Sequence, residues 1–271
     1  MSNADEYVRK IDEDGYVLIR NAVGQQVAQQ YLHFAQTFQY SEEEEAAIAA
    51  KGQRLNGFSK NIFNVAMKKP DVLSIFIRGV QGEVLKKLLN DKYYKTIPEA
   101  LPNYILRSLL LRSSLAAMPY HIDAFLPYGG SNTSVVQAAL FLGHSHRDNG
   151  CTLLIPGSHK TGEYAPQGDN PCAVPLEAAP GDIALWDSRI WHATTENTSG
   201  RDRWALIATF CRWYIKQGFD YPRAIPPEVF ERLDDDEKIV YGFCSTVPLN
   251  EFEKTELKTG LAGIQYRDRT T

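Results

Sequence analysis

The sequence predicts a mainly β fold, a barrel or double-sheet jelly roll, with flanking helices. Three observations carry this expectation. Apolar runs of strand length recur at 104–111, 135–142, 152–155, 182–186 and 204–210. Turn-forming residues separate them: Pro127-Tyr128-Gly129-Gly130, Asn149-Gly150, Pro156-Gly157, Pro180-Gly181 and Ser199-Gly200. Many short strands divided by glycine and proline turns are the pattern of barrels and jelly rolls. Ahead of residue 100, by contrast, apolar residues fall at helical spacing.

Taken in order, residues 6–12 form a short helix that Gly15 ends before the strand-like Tyr16-Val17-Leu18-Ile19. Helical periodicity returns over 27–38 and 70–89, with Asp71 placed to cap the second. The β-rich stretch follows, and the tail carries one short helix at 227–233. The acidic runs Glu42 to Glu45 and Asp234 to Glu237 are expected to be solvated helix faces or loops. The expected organisation is a single domain over 1–271, with an α-rich part to about 100, a jelly-roll core at about 103–215 and a C-terminal extension from about 216.

A chain of 271 residues that is 44% hydrophobic has the apolar material for a substantial core. Its net charge of −4 offers no basic footprint for nucleic acid or an anionic membrane, so neither is expected as a partner. The four cysteines, Cys151, Cys172, Cys211 and Cys244, form no C-x-x-C pair. That argues against a zinc ribbon or disulfide framework and suits a reducing compartment. The first ten residues carry no apolar leader, and no run approaches the roughly 18–20 apolar residues of a membrane span. The closing Arg269-Thr270-Thr271 is no peroxisomal address. A cytoplasmic protein is expected.

His121 and Asp123 stand one residue apart after a strand-like approach. Positions i and i+2 of an extended segment share a face, so both can converge on one ion. His192, following the aromatic-rich stretch 183–191, is the best candidate for a third ligand. Two imidazoles and one carboxylate make the facial triad of non-haem iron(II) oxygenases, with positions open for cosubstrate and O2. Alone, however, an H-x-D is common and reads first as a hydrogen-bonded pair in a turn. His144-Ser145-His146 has the same spacing but lies in a polar loop beside Arg147 and Asp148. His159 reads as structural, and His33 as a surface or packing residue of a helix.

The combination is more specific than its pieces. His121-Ile122-Asp123, Asn149-Gly150-Cys151 leading to Ile155-Pro156-Gly157-Ser158-His159, Pro180-Gly181-Asp182, His192-Ala193-Thr194, Asn197 and Arg203 follow one another in this order. On these residues, and on the helix-to-strand opening at 11–19, the chain resembles the phytanoyl-CoA dioxygenase-like family of 2-oxoglutarate oxygenases, most strongly over 119–210. The resemblance implies a double-stranded β-helix, a cupin-like jelly roll with helices packed on one side. It implies a catalytic iron(II) held by His121, Asp123 and His192, with 2-oxoglutarate as cosubstrate and O2 as co-reactant. It places Arg203, eleven residues after His192, on the far carboxylate of 2-oxoglutarate, which a guanidinium fork can bind in bidentate fashion. Arg201 has the same strand parity and is the rival.

Thr194, Gln137 and Met118 are further candidates for the cosubstrate pocket, with barrel packing as their alternative role. Trp186, Ser188 and Ile190 share the parity of His192 and line the cavity if that strand is regular. Substrate contacts are expected from Phe125, Leu126 and Tyr128 at the rim and from Asn56, Asn61 and Arg107. The resemblance also implies a small-molecule substrate. Relatives that halogenate replace the metal-binding carboxylate by a small residue, so Asp123 favours hydroxylation. Desaturation, cyclisation and epimerisation use the same ligands. A non-catalytic cupin-like protein that binds metal or 2-oxoglutarate, and a zinc hydrolase, are the readings from other classes.

Overall fold

The computed structural model describes residues 2–50, 59–124, 126–128, 130–248, 250–252, 260–264 and 266. The chain opens with α1 (Asn3–Asp14), whose first turn is closed reciprocally by Ser2 and Asp5. Gly15 ends α1 in the left-handed region and leads into β1 (Tyr16–Ile19). Helices α2 (Gln25–Thr37) and α3 (Glu42–Ala50) follow, then β2 (Ser59–Ile62) and the short α4 (Val65–Lys68).

The single helix expected at 70–89 is three pieces: a 3-10 turn at Pro70–Leu73, α5 (Ser74–Ile77) and α6 (Gly79–Leu89). The break falls at Arg78, whose backbone is extended, and at Gly79, whose φ is +65°. Asp71 caps nothing with its side chain.

Strands β3 (Tyr104–Ser114), β4 (Met118–His121), β5 (Val135–Phe141), β6 (Thr152–Leu154), β7 (Val174–Pro175), β8 (Ile183–Asp187), β9 (His192–Thr194) and β10 (Ala205–Arg212) build two antiparallel sheets. The larger runs β1-β8-β5-β10-β3-β2 and the smaller β4-β9-β6-β7. This is the expected jelly roll. Strands β1 and β2 come from the α-rich first part, so the sheet core draws on residues well before 103. The tail adds α7 (Tyr221–Ala224), α8 (Pro227–Phe230) and α9 (Asp235–Val240). The acidic run at 234–237 is not simply a solvated face. Asp234 and Glu237 cap α9 reciprocally, and folding back to do so buries Glu237.

Alternation divides the large sheet into two chemically different faces. Val17, Ile19, Val136, Ala138, Leu140, Leu185, Leu206 and Ala208 point toward the helices and join the main core. The opposite face packs Ala139, Phe141, Ala184 and Trp186 against Leu154 of the small sheet. The β10–β3 register shifts between Thr209 and Phe210, which keeps Leu106 and Phe210 on the helical side beyond the shift. Among the described residues, no helix is long and apolar enough to cross a membrane.

The turn at Pro180-Gly181-Asp182 locks the N-terminal segment to β8. Asp182 accepts from Arg20 Nη1 (2.7 Å) and from the Asn21 and Ala179 amides (2.8 and 2.9 Å). Gly181 has a φ of +92°, and a Cβ there would lie 2.4 Å from the Val23 carbonyl oxygen. Gly181→Ala is therefore expected to lower unfolding stability by about 2–4 kcal/mol, from left-handed strain plus a backbone collision. Chemical denaturation measures this, and an unchanged midpoint would contradict the packing described.

Candidate metal centre

The three expected ligands converge because one turn serves two of them. Strand β4 pairs with β9 so that His121 stands directly opposite His192 and Met118 opposite Thr194. The imidazole centroids are 4.1 Å apart. Asp123 lies past the end of β4 in a bend, so strand parity is not what aims it. Its amide and that of Ala124 both donate to the Ser188 carbonyl at 2.9 Å. Ser188 belongs to the turn joining β8 to β9, so the turn that delivers His192 also fixes Asp123. The run at 183–191 is thus not one strand: β8 ends at Asp187, and a turn carries the chain to His192, where β9 begins in the other sheet.

Asp187 holds that turn. Almost fully buried, it accepts from the Arg189 amide (2.9 Å), from Arg189 Nε and Nη2 (2.9 and 2.7 Å) and from Thr133 Oγ1 (3.0 Å). Its own carbonyl accepts from the Ile190 amide.

Asp123 Oδ2 is 3.3 Å from His192 Nε2, and Oδ1 is 3.8 Å from His121 Nε2. Each histidine turns Nδ1 toward a backbone carbonyl: Pro119 for His121 (2.8 Å) and Ile190 for His192 (3.0 Å). A carbonyl can only accept, so Nδ1 carries the proton and Nε2 faces the shared space. This is how metal-binding histidines are oriented. Burial opposes the charged form of His192, but its hydrogen bond to Asp123 and the Asp123 charge prevail and hold its pKa above the usual range. Burial likewise opposes the Asp123 carboxylate, and the His192 hydrogen bond overcomes it, so its pKa is lowered. The His121 pKa is pushed down by burial and by His192, which favours its neutral form. A cation in this space replaces the proton between Asp123 and His192.

One ligand atom from each of His121, Asp123 and His192 lies within 4.8 Å of the others, the only such cluster among the described residues. His144 and His146 are exposed. His159 is buried, with Nε2 3.1 Å from the Asp12 carbonyl, as a structural residue should be.

The remaining expected residues divide. Gln137 does not face a cosubstrate position alone: its Oε1 accepts from Thr209 Oγ1 at 2.6 Å, and its side chain is near enough to favour the charged form of Asp123. Thr209 in turn accepts from Ser108 Oγ at 3.0 Å. A polar row therefore crosses β5, β10 and β3 beside the ligands. Thr194 Oγ1 accepts from the Met118 amide (3.0 Å), which locks β4 against β9. Trp186 and Ile190 pack in the core between the sheets, with Trp186 6.1 Å from the His192 ring. Ser188 is buried in the turn.

Arg203 and Arg201 are separated by burial. Arg201 is exposed after Gly200, whereas Arg203 Nε is buried and has no hydrogen-bond partner. The Arg203 amide donates to Ser113 Oγ at 3.1 Å, and its guanidinium senses Cys151, just before β6. A buried donor without an acceptor is costly. A carboxylate would satisfy it, as the cosubstrate's distal end requires. Two imidazole nitrogens, a carboxylate and this orphaned arginine fit an iron(II) and 2-oxoglutarate site.

Leu126 and Tyr128 are exposed; Tyr128 lines a cavity of about 450 Å³ with Pro127, His159, Lys160 and Arg189, to which His121, Asp123 and His192 do not contribute. Asn61 pairs with Arg112 across β2 and β3. Arg107 sits where the β10–β3 register shifts, with its carbonyl accepting from the Gly218 amide. Phe125 and Asn56 lie outside the described residues. Sequence reasoning missed Arg112, whose Nη2 donates to Met118 Sδ at 3.1 Å. Strand parity puts Ser108 and Arg112 on one face of β3, but the sequence does not say what that face meets.

A family model described as phytanoyl-CoA dioxygenase (PhyH) matches residues 11–205. An uncharacterized protein of Mycobacterium tuberculosis is 38% identical over 109 residues, 38% of each chain. Dioxygenase af480 of Aspergillus fumigatus is 32% identical over 129 residues, 46% of this chain and 42% of that protein. The matched segments thus span less than half the length of these curated relatives. Among solved structures, HygX from Streptomyces hygroscopicus, with nickel and 2-oxoglutarate bound, aligns with a TM-score of 0.60 at 12% identity, over 80% of this chain and 89% of that one. The epimerase SnoN, in complex with Fe3+, alpha-ketoglutarate and a nogalamycin compound, aligns with a TM-score of 0.54 at 16% identity, over 77% and 83%. At these identities the structural likeness establishes the fold.

His192→Ala and Asp123→Ala are each expected to remain folded and to lose the one equivalent of iron(II) bound per chain after anaerobic reconstitution. Elemental analysis with circular dichroism reads both properties. A full equivalent retained by either variant would sink the ligand assignment.

Proposed function

The chain belongs to the phytanoyl-CoA dioxygenase family, and from that premise we propose that it is an iron(II)- and 2-oxoglutarate-dependent dioxygenase that hydroxylates an unactivated C–H bond of a small-molecule metabolite. The observation that carries this reading is the clustering of His121, Asp123 and His192 at the mouth of a jelly roll whose Arg203 has a buried, unpartnered Nε. When bound, iron and 2-oxoglutarate supply the activation of O2, with the cosubstrate converted to succinate and CO2.

The chain's own residues do the positioning. His121, Asp123 and His192 would occupy one face of the metal and leave the opposite face for cosubstrate and O2. The Nδ1 contacts to Pro119 and Ile190 hold both imidazoles in the orientation that ligation needs. Gln137, on the sheet side, favours the charged form of Asp123. Arg203 would receive the distal carboxylate of 2-oxoglutarate and fix its reach toward the metal. Leu154, Trp186 and Ile190 keep the inner wall apolar and limit water. Asp123 favours hydroxylation, because the coordination position it would fill is then closed to a halide.

Purified protein supplied with iron(II), ascorbate and 2-oxoglutarate is expected to release succinate, faster when its organic substrate is present. Product mass spectrometry under 18O2 distinguishes the outcomes: one added labelled oxygen supports hydroxylation, whereas loss of two hydrogens marks desaturation or ring closure. No succinate with any metabolite of a broad panel would favour a binding protein without turnover. Arg203→Ala is expected to raise the KM for 2-oxoglutarate by about 30-fold or more, the scale of losing a charged bidentate partner. Arg201→Ala is expected to leave it unchanged. Reversed effects would contradict the placement of Arg203.

A further inference from the structure

Resting on the iron and 2-oxoglutarate reading, we infer that Arg112 is the substrate-recognition residue of this site and that the organic substrate carries a carboxylate. Arg112 lies on β3, opposite Ala205 of β10 and Asn61 of β2, on the face that carries Ser108 toward the small sheet. It reaches across the space between the sheets: Nη2 donates to Met118 Sδ at 3.1 Å, and Met118 opens the strand that ends at His121. Strand β4 is the edge of the small sheet, while β3 and β2 form one edge of the large sheet. Arg112 therefore bridges the two edges, at the flank where the ligand-bearing strand lies.

Its guanidinium stands beside the first residue of the ligand-bearing strand, near enough for its charge to act on Asp123, His121 and Arg203. A thioether is a weak acceptor, and no carboxylate of the protein lies within ion-pair distance of Arg112 among the described residues. A half-buried arginine without a hydrogen-bonded anion is unfavourable unless a ligand completes it.

Charge balance points to which ligand does so. A divalent iron and Arg203 are neutralised by Asp123 and the two carboxylates of 2-oxoglutarate. Arg112 is the excess cation. It also acts on the metal end of the site, on Asp123 and His121, whereas Arg203 reaches back to Cys151. An arginine so placed is suited to hold an organic acid beside the metal, with the acid's carbon chain directed at the reacting position.

The test uses the full chain loaded with iron(II) and 2-oxoglutarate without O2, read by the visible metal-to-cosubstrate charge-transfer band and by calorimetry. Probes are acetate, benzoate and octanoate, each paired with its neutral amide. At least one carboxylate is expected to shift the band saturably, and its amide is not. Arg112→Met should weaken that carboxylate by about tenfold or more, the scale of a lost charged hydrogen bond, while leaving 2-oxoglutarate within about twofold. Arg112→Lys, which keeps the charge and loses the fork, should fall between. The inference is overturned by equal responses to acid and amide, by an unchanged response in Arg112→Met, or by no response to any carboxylate. Selective loss of 2-oxoglutarate in Arg112→Lys would also overturn it, making Arg112 a second cosubstrate arginine. Failure of the wild type to develop the band at all would instead remove the cosubstrate reading on which this rests.

Discussion

The pairing of β4 with β9 is the constraint on which the rest of the site depends. It sets His121, on the edge strand, opposite His192 on the strand next to it, and the Ser188 carbonyl then gathers Asp123 through two backbone amides. Neither strand is long: β9 spans three residues and β4 four. Their register is held from outside, by Thr194 on the Met118 amide and by the Asp187-braced turn that leads into His192. A slip of one residue in either strand would turn its imidazole to the opposite face and separate the pair. The buried ion pair of Asp187 with Arg189 therefore acts through geometry, keeping a turn in one conformation close to the ligands.

The large sheet shows how a jelly roll reconciles a packed core with a reactive interior. Its helix-facing side is uniformly apolar and carries the main core. Its inner side is apolar only where it meets Leu154 and Leu176, and turns polar beside the ligands through Gln137, Thr209 and Ser108. That row is internally satisfied, so it orients Asp123 without leaving orphaned groups. The arginines are different. Arg203 retains a buried Nε with no acceptor, and Arg112 has only a sulfur. Satisfied polar groups position the site, while unsatisfied ones mark where ligands belong.

Much of this was legible in the residues. The strand runs, the glycine and proline turns between them and the H-x-D with its distant histidine lead to the observed sheets and cluster. Spacing favours Arg203 over Arg201, and of the two it is Arg203 whose Nε is buried without a partner. What was hidden is mostly tertiary. The break in 70–89 needed the left-handed Gly79, which periodicity alone does not reveal. The turn that ends β8 at Asp187 and leads into β9 at His192 depends on Asp187, whose partner Thr133 comes from a distant loop, as does the Gly130 carbonyl that holds Arg189. Asp123 shares parity with His121 in sequence, yet its aim comes from Ser188, sixty-five positions later. Arg112 escaped notice because its importance arises only when β3 and β4 face each other across the site.

The most direct test of the central claim is anomalous diffraction at the iron edge from crystals grown anaerobically with iron(II) and 2-oxoglutarate. The account predicts one peak within bonding distance of His121 Nε2, His192 Nε2 and an Asp123 carboxylate oxygen, with the far cosubstrate carboxylate on Arg203. Iron at the exposed His144 and His146, or no ordered iron beside the three residues, would contradict it.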